Sequence, residues 1–341
     1  MGREEVAPLD VNSSGRTETP SRWRRVLQWF VRGLVGALAV IGLLSLVLSR
    51  PTVGQFRTPE GKRSYATAYA AALATMPTPT QTVDVPTDYG TVRAYVWRQP
   101  RAADRTPVLL LPGRTSGVPM WSENLPAIAA KRTVIAVDAL GDAGLSIQTV
   151  PMTAPEDQAV WIDQVVAELA PGGVHVLGHS FGGATAATYA RLHPEHVRSL
   201  ALLEPVFTFG YPSARMMGWA MLGSLPFLPA SLRERALTEI GGGESADPAD
   251  PVARMITAGA DHYSAELPTP KVLTDDQLAH LTLPTYVAIA DHDSLAGGEK
   301  AAERAAGLPN GTVRVWPNTT HSLPMQVSKQ LSAELDQFWG R

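Results

Sequence analysis

Apolar runs and helical patterns alternate along most of the chain from about residue 80. Five continuous apolar runs are typical of strands covered on both faces: "PVLLLPG", "RTVIAVDAL", "VHVLGH", "VRSLALLEP" and "PTYVAIA". A further predicted strand, "GTVRVWP", closes the series. Helical patterns lie between and after these runs, at 118–130, 154–169, 181–193, 298–306 and 323–338. This βαβ alternation predicts a mainly parallel, doubly wound α/β sheet. Ligands of such sheets bind beyond the carboxyl ends of the strands.

One interval breaks this rhythm. Roughly 75 residues separate "LALLEP" from "PTYVAIA", far more than one crossover needs. The interval is rich in Met, Trp, Leu and Phe, and we interpret 207–283 as a cap inserted over the strand ends. The alternative is an ordinary extra helical layer, in which the apolar side chains do not face a substrate. The core domain is then 80–206 together with 284–341.

The first 50 residues have a different character. Residues 1–25 are polar and without periodicity, which predicts a disordered tail. Residues 26–49 are mostly apolar, and about twenty such residues are enough to cross a bilayer as a helix. We therefore predict a transmembrane anchor over 26–49, followed by a linker and a short helix over 50–79.

The arginines around this apolar segment predict its orientation. Four of them lie near its N-terminal end: Arg22, Arg24, Arg25 and Arg32. Because positive residues favour the cytoplasmic side of a membrane, the tail is expected in the cytoplasm and the remaining chain on the extracytoplasmic side. The alternative is a signal peptide whose cleavage leaves an exported protein.

Composition narrows the class of protein further. A chain of 341 residues with 45% apolar residues has enough material for a sizeable core. The net charge of −3 gives no indication of a nucleic-acid-binding protein, which usually has a strongly basic surface. The absence of cysteine excludes disulfides, thiolate metal sites and a cysteine nucleophile. We find no metal-binding motif and no Gly-rich phosphate loop, and therefore predict no cofactor and no obligate protein partner.

A serine stands on a glycine-rich turn where the run "VHVLGH" ends. The letters "GHSFGG" match G-x-S-x-G, and a helical pattern begins directly afterwards. A nucleophile elbow requires this strand–turn–helix context, because the turn lifts the Ser180 side chain to the top of the sheet. Gly178 and Gly182 suit the crowded backbone of that turn. We therefore interpret Ser180 as a nucleophile, with a structural turn as the alternative.

A serine nucleophile needs a nearby base. His321, in "WPNTTHSLP", follows the last strand and is expected at the same carboxyl edge of the sheet as the serine. His179 is expected to point elsewhere, because neighbouring strand residues alternate faces. Other histidines have no comparable placement and are interpreted as ordinary polar residues: His193, His196, His262, His280 and His292.

The base in turn needs an orienting carboxylate, and three candidates follow strands at that edge. Asp293, shortly after "PTYVAIA", ranks first because such an acid usually lies there. Glu204, at the end of "LALLE", ranks second, and Asp291 ranks third. Each could instead hold a loop by accepting hydrogen bonds from backbone amides.

Acyl transfer also needs donors for the negative oxygen of the tetrahedral intermediate. One expected donor is the amide of Phe181, the residue after the nucleophile. The second is expected from the loop after "VLLLPG", at the amide of Arg114.

These residues resemble the α/β-hydrolase superfamily. The matching stretches come in the family's order from about residue 83 to the end: "LLLPGRTSGVPMW", "VIAVDALGDAGLS", "LGHSFGG", "AIADHDSL" and "NTTHSLP". The resemblance implies an eight-stranded sheet, a triad of Ser180, Asp293 and His321, and a cap in the long insertion. It also implies an oxyanion hole formed by the amides of Arg114 and Phe181.

Within that superfamily the chain looks most like the capped serine esterases and lipases and their relatives, the haloalkane dehalogenases and epoxide hydrolases. Both relatives use an aspartate nucleophile, so Ser180 argues against their activities. In some dehalogenases the acid follows the sixth strand, which keeps Glu204 as an alternative. The usual His-Gly of the oxyanion loop is Pro112-Gly113 in this chain.

The sequence therefore predicts a membrane-anchored serine hydrolase. It would cleave carboxylic esters of a fairly apolar small molecule through an acyl-enzyme intermediate. One alternative is amide or peptide hydrolysis, or cofactor-free peroxidation, by the same residues. A third interpretation is a catalytically inactive scaffold used for binding, which a complete set of candidate triad residues disfavours.

Overall fold

The computed structural model describes residues 52–224, 229–243, 247 and 249–340, together with residues 23, 29–33 and 36 near the N-terminus. The chain divides into two compact units, 1–50 and 51–341. The described residues of the first unit are helical. The strands and helices below belong to the second unit.

The predicted membrane anchor requires a correction. Within the described ranges, no helix is both long and apolar enough to cross a membrane. On this finding the membrane-spanning helix predicted over 26–49 is wrong, as are the membrane contact and the extracytoplasmic location that we drew from it. The prediction rested on apolar composition, whereas a span needs about 20 residues in one continuous helix. Most of 26–49, like the tail predicted over 1–25, lies outside the described residues.

The described chain forms one large sheet and one short two-stranded ladder. In chain order the strands are β1 (Gln55–Phe56), β2 (Gln81–Thr87), β3 (Gly90–Trp97), β4 (Val108–Leu111), β5 (Val134–Val137), β6 (Ile147–Gln148), β7 (Val174–His179), β8 (Val197–Leu203), β9 (Tyr263–Ser264), β10 (Thr285–Ala290) and β11 (Gly311–Trp316). The large sheet has the order β11-β10-β8-β7-β4-β5-β3-β2, and the two-residue β6 pairs with β3.

This sheet is mixed, although its centre is parallel as predicted. Neighbouring strands from β11 through β5 are parallel, whereas β3 runs antiparallel to both β5 and β2. The turn between β2 and β3 explains why these two strands are antiparallel. Thr87 pairs with Gly90, which leaves only two residues for the connection, and so short a loop can only join antiparallel strands.

Helices cover both faces of the large sheet. In chain order the described helices are α1 (Pro59–Leu73), α2 (Leu125–Ala129), α3 (Asp157–Leu169), α4 (Phe181–Leu192), α5 (Ala214–Ser224), α6 (Ala230–Gly241), α7 (Pro251–His262), α8 (Asp275–His280), α9 (Gly298–Ala305), α10 (Leu323–Gln326) and α11 (Ser328–Trp339). Buried residues of α3, α4 and α9 share one apolar core, and those of α1, α2 and α11 share the other.

Strand β4 illustrates how the sheet divides these cores. Leu109 and Leu111 belong to the first core, while Val108 and Leu110 belong to the second. All four residues are buried, because successive side chains of a strand point to opposite faces and both faces are covered. The continuous apolar runs of the sequence follow directly from this arrangement.

The segment predicted as a cap lies between β8 and β10 and contains α5, α6, α7, α8 and the short β9. Met216 of α5 joins a small apolar cluster with Phe181, Val206 and Leu295, next to the turn that carries the predicted nucleophile. At the other side, β9 pairs antiparallel with β1. The insertion therefore contacts both the strand ends and the segment that precedes the sheet.

Candidate active site

Ser180 lies on a sharp turn between β7 and α4. Its backbone adopts φ 55° and ψ −121°, a left-handed conformation that costs free energy in a residue other than glycine. The turn is held because the Ser180 amide donates a hydrogen bond to the carbonyl of Leu203, at 3.0 Å. A Cβ at Gly178 would collide with the carbonyl of Gly182, and one at Gly182 would collide with the carbonyls of the loop after β4. Only glycine fits at either position.

His321 reaches this serine from the loop between β11 and α10. Its Nε2 lies 2.9 Å from the Ser180 Oγ. Both residues are buried, with 7% of His321 and 9% of Ser180 exposed. In this geometry the imidazole can accept the proton of the serine hydroxyl.

Glu204 meets the other side of the same imidazole. It follows β8, is fully buried, and places Oε2 3.1 Å from the His321 Nδ1. Its carboxylate also accepts hydrogen bonds from the amides of Ala290 and Leu295 and from the Ser294 hydroxyl, at 2.7, 3.0 and 2.8 Å. A buried carboxylate needs such donors in place of water, and they hold its orientation.

Asp293, the acid ranked first from the sequence, makes a different contact. Its Oδ1 lies 3.0 Å from the Arg215 guanidinium of α5, and its side chain is 27% exposed. Asp291 accepts hydrogen bonds from the amides of Asn318 and Thr319. The geometry thus reverses the expected order of the acids. The loop after β10 directs its amides and the Ser294 hydroxyl at Glu204. It does not direct the Asp293 carboxylate at the His321 imidazole.

His179 also departs from expectation, because it does not point away from the site. Its Nε2 lies 3.0 Å from the backbone carbonyl of His321, and the two rings are 4.9 Å apart. Since a carbonyl only accepts, Nε2 carries the proton and donates. Burial and the proximity of His321 lower the pKa of His179 to about 3, so the ring is neutral. Its Nδ1 is buried without a hydrogen-bond partner.

The loop after β4 approaches the serine from the opposite side. A Cβ at Gly113 would lie 3.2 Å from the Cβ of Ser180, which shows how closely the two backbones meet. The Gly113 amide is directed at the sulfur of Met120, 3.3 Å away, and the Thr115 amide donates to Asp142, at 2.9 Å. The amides on both sides of Arg114 are therefore engaged elsewhere.

Two buried carboxylates after β5 brace this loop. Asp142 receives the Thr115 amide, and burial raises its pKa. Asp138 accepts the Val118 amide at 2.9 Å and the Tyr69 hydroxyl at 2.9 Å. Burial raises the pKa of Asp138 to about 6, despite these donors. Together the two acids hold the loop that runs past the serine.

A family model described as "alpha/beta hydrolase fold" matches residues 106–237 of the chain. The carboxylesterase YbfK of Bacillus subtilis is 25% identical over 294 residues, which is 83% of this chain and 96% of that protein. The crystal structure of carboxylesterase CesB (YbfK) from Bacillus subtilis superposes with a TM-score of 0.75 at 24% identity, over 82% of this chain and 98% of that one.

The chain has the α/β-hydrolase fold. Naproxen esterase from Bacillus subtilis, a second solved structure, has the same fold with a TM-score of 0.74 at 22% identity, over 83% of this chain and 99% of that one. The resemblance stated from the sequence motifs is thereby confirmed. This α/β-hydrolase is an enzyme of the carboxylesterase- and lipase-like hydrolase type.

Several residues around the site of this hydrolase escaped the sequence analysis. Asp138 and Asp142 lie in "VIAVDALGDAGLS", directly after a buried strand, and that position alone was a signal. Ser294 carries no such signal, because its role depends on the path of a loop.

Arg114 was expected to contribute only its amide. Its exposed guanidinium lies over the Phe181 ring, 5.7 Å from the ring centroid. Outside the site, one group of possible metal ligands occurs among the described residues: Asp163, His193 and His196.

Proposed function

We propose that this α/β-hydrolase is a serine esterase that cleaves carboxylic esters through an acyl-enzyme. Ser180 is the nucleophile, His321 the general base and acid, and Glu204 the orienting acid. The observation that carries the proposal is the continuous hydrogen-bonded series from Ser180 Oγ to His321 Nε2, at 2.9 Å, and from His321 Nδ1 to Glu204, at 3.1 Å. A serine becomes an effective nucleophile when a base and an acid are aligned in this way.

In the first half-reaction the Ser180 oxygen attacks the ester carbonyl while its proton passes to the His321 Nε2. The imidazolium that results carries its positive charge beside the buried Glu204 carboxylate, which stabilises it and keeps the Nδ1 proton in place. His321 then protonates the departing alkoxide, and the acyl group remains on Ser180. Water, deprotonated by His321, attacks the acyl-enzyme and releases the acid.

The negative oxygen of each tetrahedral intermediate needs fixed donors. The amide of Phe181 opens α4, so it lies at the positive end of the helix dipole. The amide of Arg114 is the second candidate, because its neighbours' amides are directed at Met120 and Asp142. We assign the oxyanion hole to these two amides.

The side chains between the serine and the cap favour an apolar substrate group. Phe181, Met216 and Leu295 are buried together beside Ser180, and Trp219 of α5 packs against them. An acyl or aryl group entering this region would exchange water for apolar contacts. The segment 207–283 is thus proposed as the cap that lines the substrate pocket, over a core of 80–206 and 284–341.

The names of similar proteins support the same chemistry. Two solved structures with this fold are named carboxylesterases, and one of them is also named naproxen esterase. At identities below 25%, these two structures show only a shared fold, whereas the carboxylesterase YbfK, 25% identical over 83% of this chain, supports ester hydrolysis as a class.

The proposal is tested with the full chain and p-nitrophenyl esters of increasing acyl length. Turnover should have an optimum at one chain length and should vanish in Ser180→Ala. A fluorophosphonate probe should label wild-type protein and leave Ser180→Ala unlabelled. Ser332→Ala serves as the matched control, because it removes a buried serine hydroxyl that takes no part in the hydrogen-bonded series. Persistent turnover or labelling in Ser180→Ala, or no turnover of any ester, would contradict the proposal.

A further inference from the structure

A second cluster of polar side chains lies at the far end of the nucleophile helix. His193 directly follows α4, and His196 lies in the 3₁₀ turn Pro194–His196. Their Nδ1 atoms lie 3.5 and 2.7 Å from one oxygen, the Oδ1 of Asp163 in α3. The potential ligand atoms of these three residues all lie within 4.8 Å of one another.

The contacts within the cluster are unusually concentrated. The Asp163 Oδ1 also accepts a hydrogen bond from the Tyr189 hydroxyl, at 3.2 Å, so three polar groups approach one carboxylate oxygen. The Glu195 carboxylate lies 3.7 Å from the His193 Nδ1. Two imidazoles and the Asp163 carboxylate therefore converge on a small volume.

This set of ligands suits a particular class of ion. Imidazole nitrogen and carboxylate oxygen together favour Zn²⁺ and similar transition-metal ions, whereas Mg²⁺ prefers oxygen ligands alone. In a tetrahedral zinc site, neighbouring ligand atoms are about 3.3 Å apart. The distance of 3.5 Å from the His193 Nδ1 to the Asp163 Oδ1 is close to this value. The His196 Nδ1, 2.7 Å from the same oxygen, would need to move away from it by less than about 1 Å.

The cluster is also accessible. The side chains of Asp163 and His193 are 24% and 28% exposed, and that of His196 is 37% exposed. An ion can therefore enter without unfolding of α3 or α4. Ring stacking limits the imidazoles, because His193 lies between Tyr189 and His196, 5.5 and 6.4 Å from their ring centroids.

We infer that Asp163, His193 and His196 form a binding site for Zn²⁺. The ion takes the place of the His196 Nδ1 proton that is directed at Asp163, and that proton moves to Nε2 of the same ring. Helix α4 has 12 residues and a length of about 18 Å, which separates this site from Ser180. The ion is thus structural, and it joins α3 to the end of the nucleophile helix.

The test uses the full-length protein, stripped with a chelator and titrated with Zn²⁺ in a calorimeter. Wild-type protein should bind one Zn²⁺ at this site and gain thermal stability, and Mg²⁺ should not compete. Asp163→Asn keeps the size and hydrogen-bond acceptor of the side chain but removes its charge. This variant and His193→Ala should weaken binding at least about tenfold, since loss of even an outer-shell partner has effects of about 10–100-fold.

His280→Ala is the matched control, because His280 also lies beside an exposed carboxylate, 3.4 Å from Asp276. It should bind Zn²⁺ as the wild type does. All variants are compared with wild type by metal-free melting, so that a folding defect is detected separately. The inference is overturned if wild-type protein binds no Zn²⁺, or if Asp163→Asn and His193→Ala bind it as tightly as wild type.

Discussion

The identity of the orienting acid gives the sharpest prediction. Replacing Glu204 with Gln keeps the shape of the side chain but removes the charge beside the His321 Nδ1. The amide can then donate to Nδ1, which favours the tautomer with the proton on Nε2. That tautomer cannot accept the proton of Ser180. The variant also lacks the negative charge that stabilises the imidazolium formed during the reaction.

The expected size of the effect is large. An equivalent carboxylate-to-amide change in a serine triad lowers kcat by about 10⁴-fold. At 1.36 kcal/mol for each factor of ten, this corresponds to about 5.4 kcal/mol of lost transition-state stabilisation. The loss should fall on kcat with little change in KM, because the imidazole acts in the chemical step.

Asp293→Asn is the matched comparison, since it makes the same chemical change one loop away. Asp293 pairs with Arg215, whose side chain is 58% exposed, and exposed ion pairs contribute little. We expect kcat/KM to stay within about threefold of wild type.

The assay is p-nitrophenyl ester hydrolysis by wild type and both variants, with thermal melting as the check on folding. Melting matters because Glu204 also binds the loop after β10 through the amides of Ala290 and Leu295. The assignment of Glu204 is refuted if Asp293→Asn loses several orders of magnitude while Glu204→Gln remains nearly as active as wild type.

Three further outcomes follow from the structure. Gly182→Ala should destabilise the protein by about 3 kcal/mol in urea unfolding, because the new methyl group meets backbone carbonyls; wild-type stability would contradict the tight turn. His179→Phe should lower kcat about tenfold and leave KM unchanged, since the carbonyl of His321 loses its buried donor; an unchanged kcat would mean that the contact does not position the base. Burial lowers the pKa of His175 to about 4, below its unfolded value of about 6.5. Between these two pH values the unfolded state binds more protons than the folded state. The free energy of unfolding should therefore fall by about 2 kcal/mol from pH 7 to pH 5. His175→Gln should show a correspondingly shallower pH dependence in urea titrations, and an equal slope would exclude this histidine as its source.

The central part of the fold could be predicted from local sequence. Strands such as β4 and β5 are buried on both faces, so every residue in them is apolar, and this pattern needs no knowledge of distant contacts. Gly178 and Gly182 mark the turn for an equally local reason, because backbone atoms leave no room for a side chain. The antiparallel pairing of β2 with β3 at the edge of the sheet was harder to predict from sequence, because it depends on the two-residue loop before Gly90.

The choice between acids could not be predicted in the same way. Both Glu204 and Asp293 lie at the carboxyl edge of the sheet. Sequence distance does not decide which of them contacts the His321 imidazole, because Glu204 does so from more than a hundred residues away. The path of the loop after β10 decides it, including a left-handed residue at Asp293 with φ 42°. For the N-terminal segment, hydropathy alone led to the anchor prediction, which the described helices do not support.

The way in which Glu204 is held has a consequence for how the enzyme can evolve. The loop after β10 serves this acid mainly through main-chain amides and Ser294, while the side chains of His292 and Asp293 are partly or largely exposed. Natural variation should therefore be free in side-chain identity at His292, and at Asp293 among the residue types that tolerate a positive φ. Loop length should be strictly preserved, because one inserted residue would carry the amides away from the carboxylate. Two libraries of this loop, one of substitutions and one of single-residue insertions, can be screened for esterase activity. Substitutions at His292 should be tolerated, and insertions should be rejected.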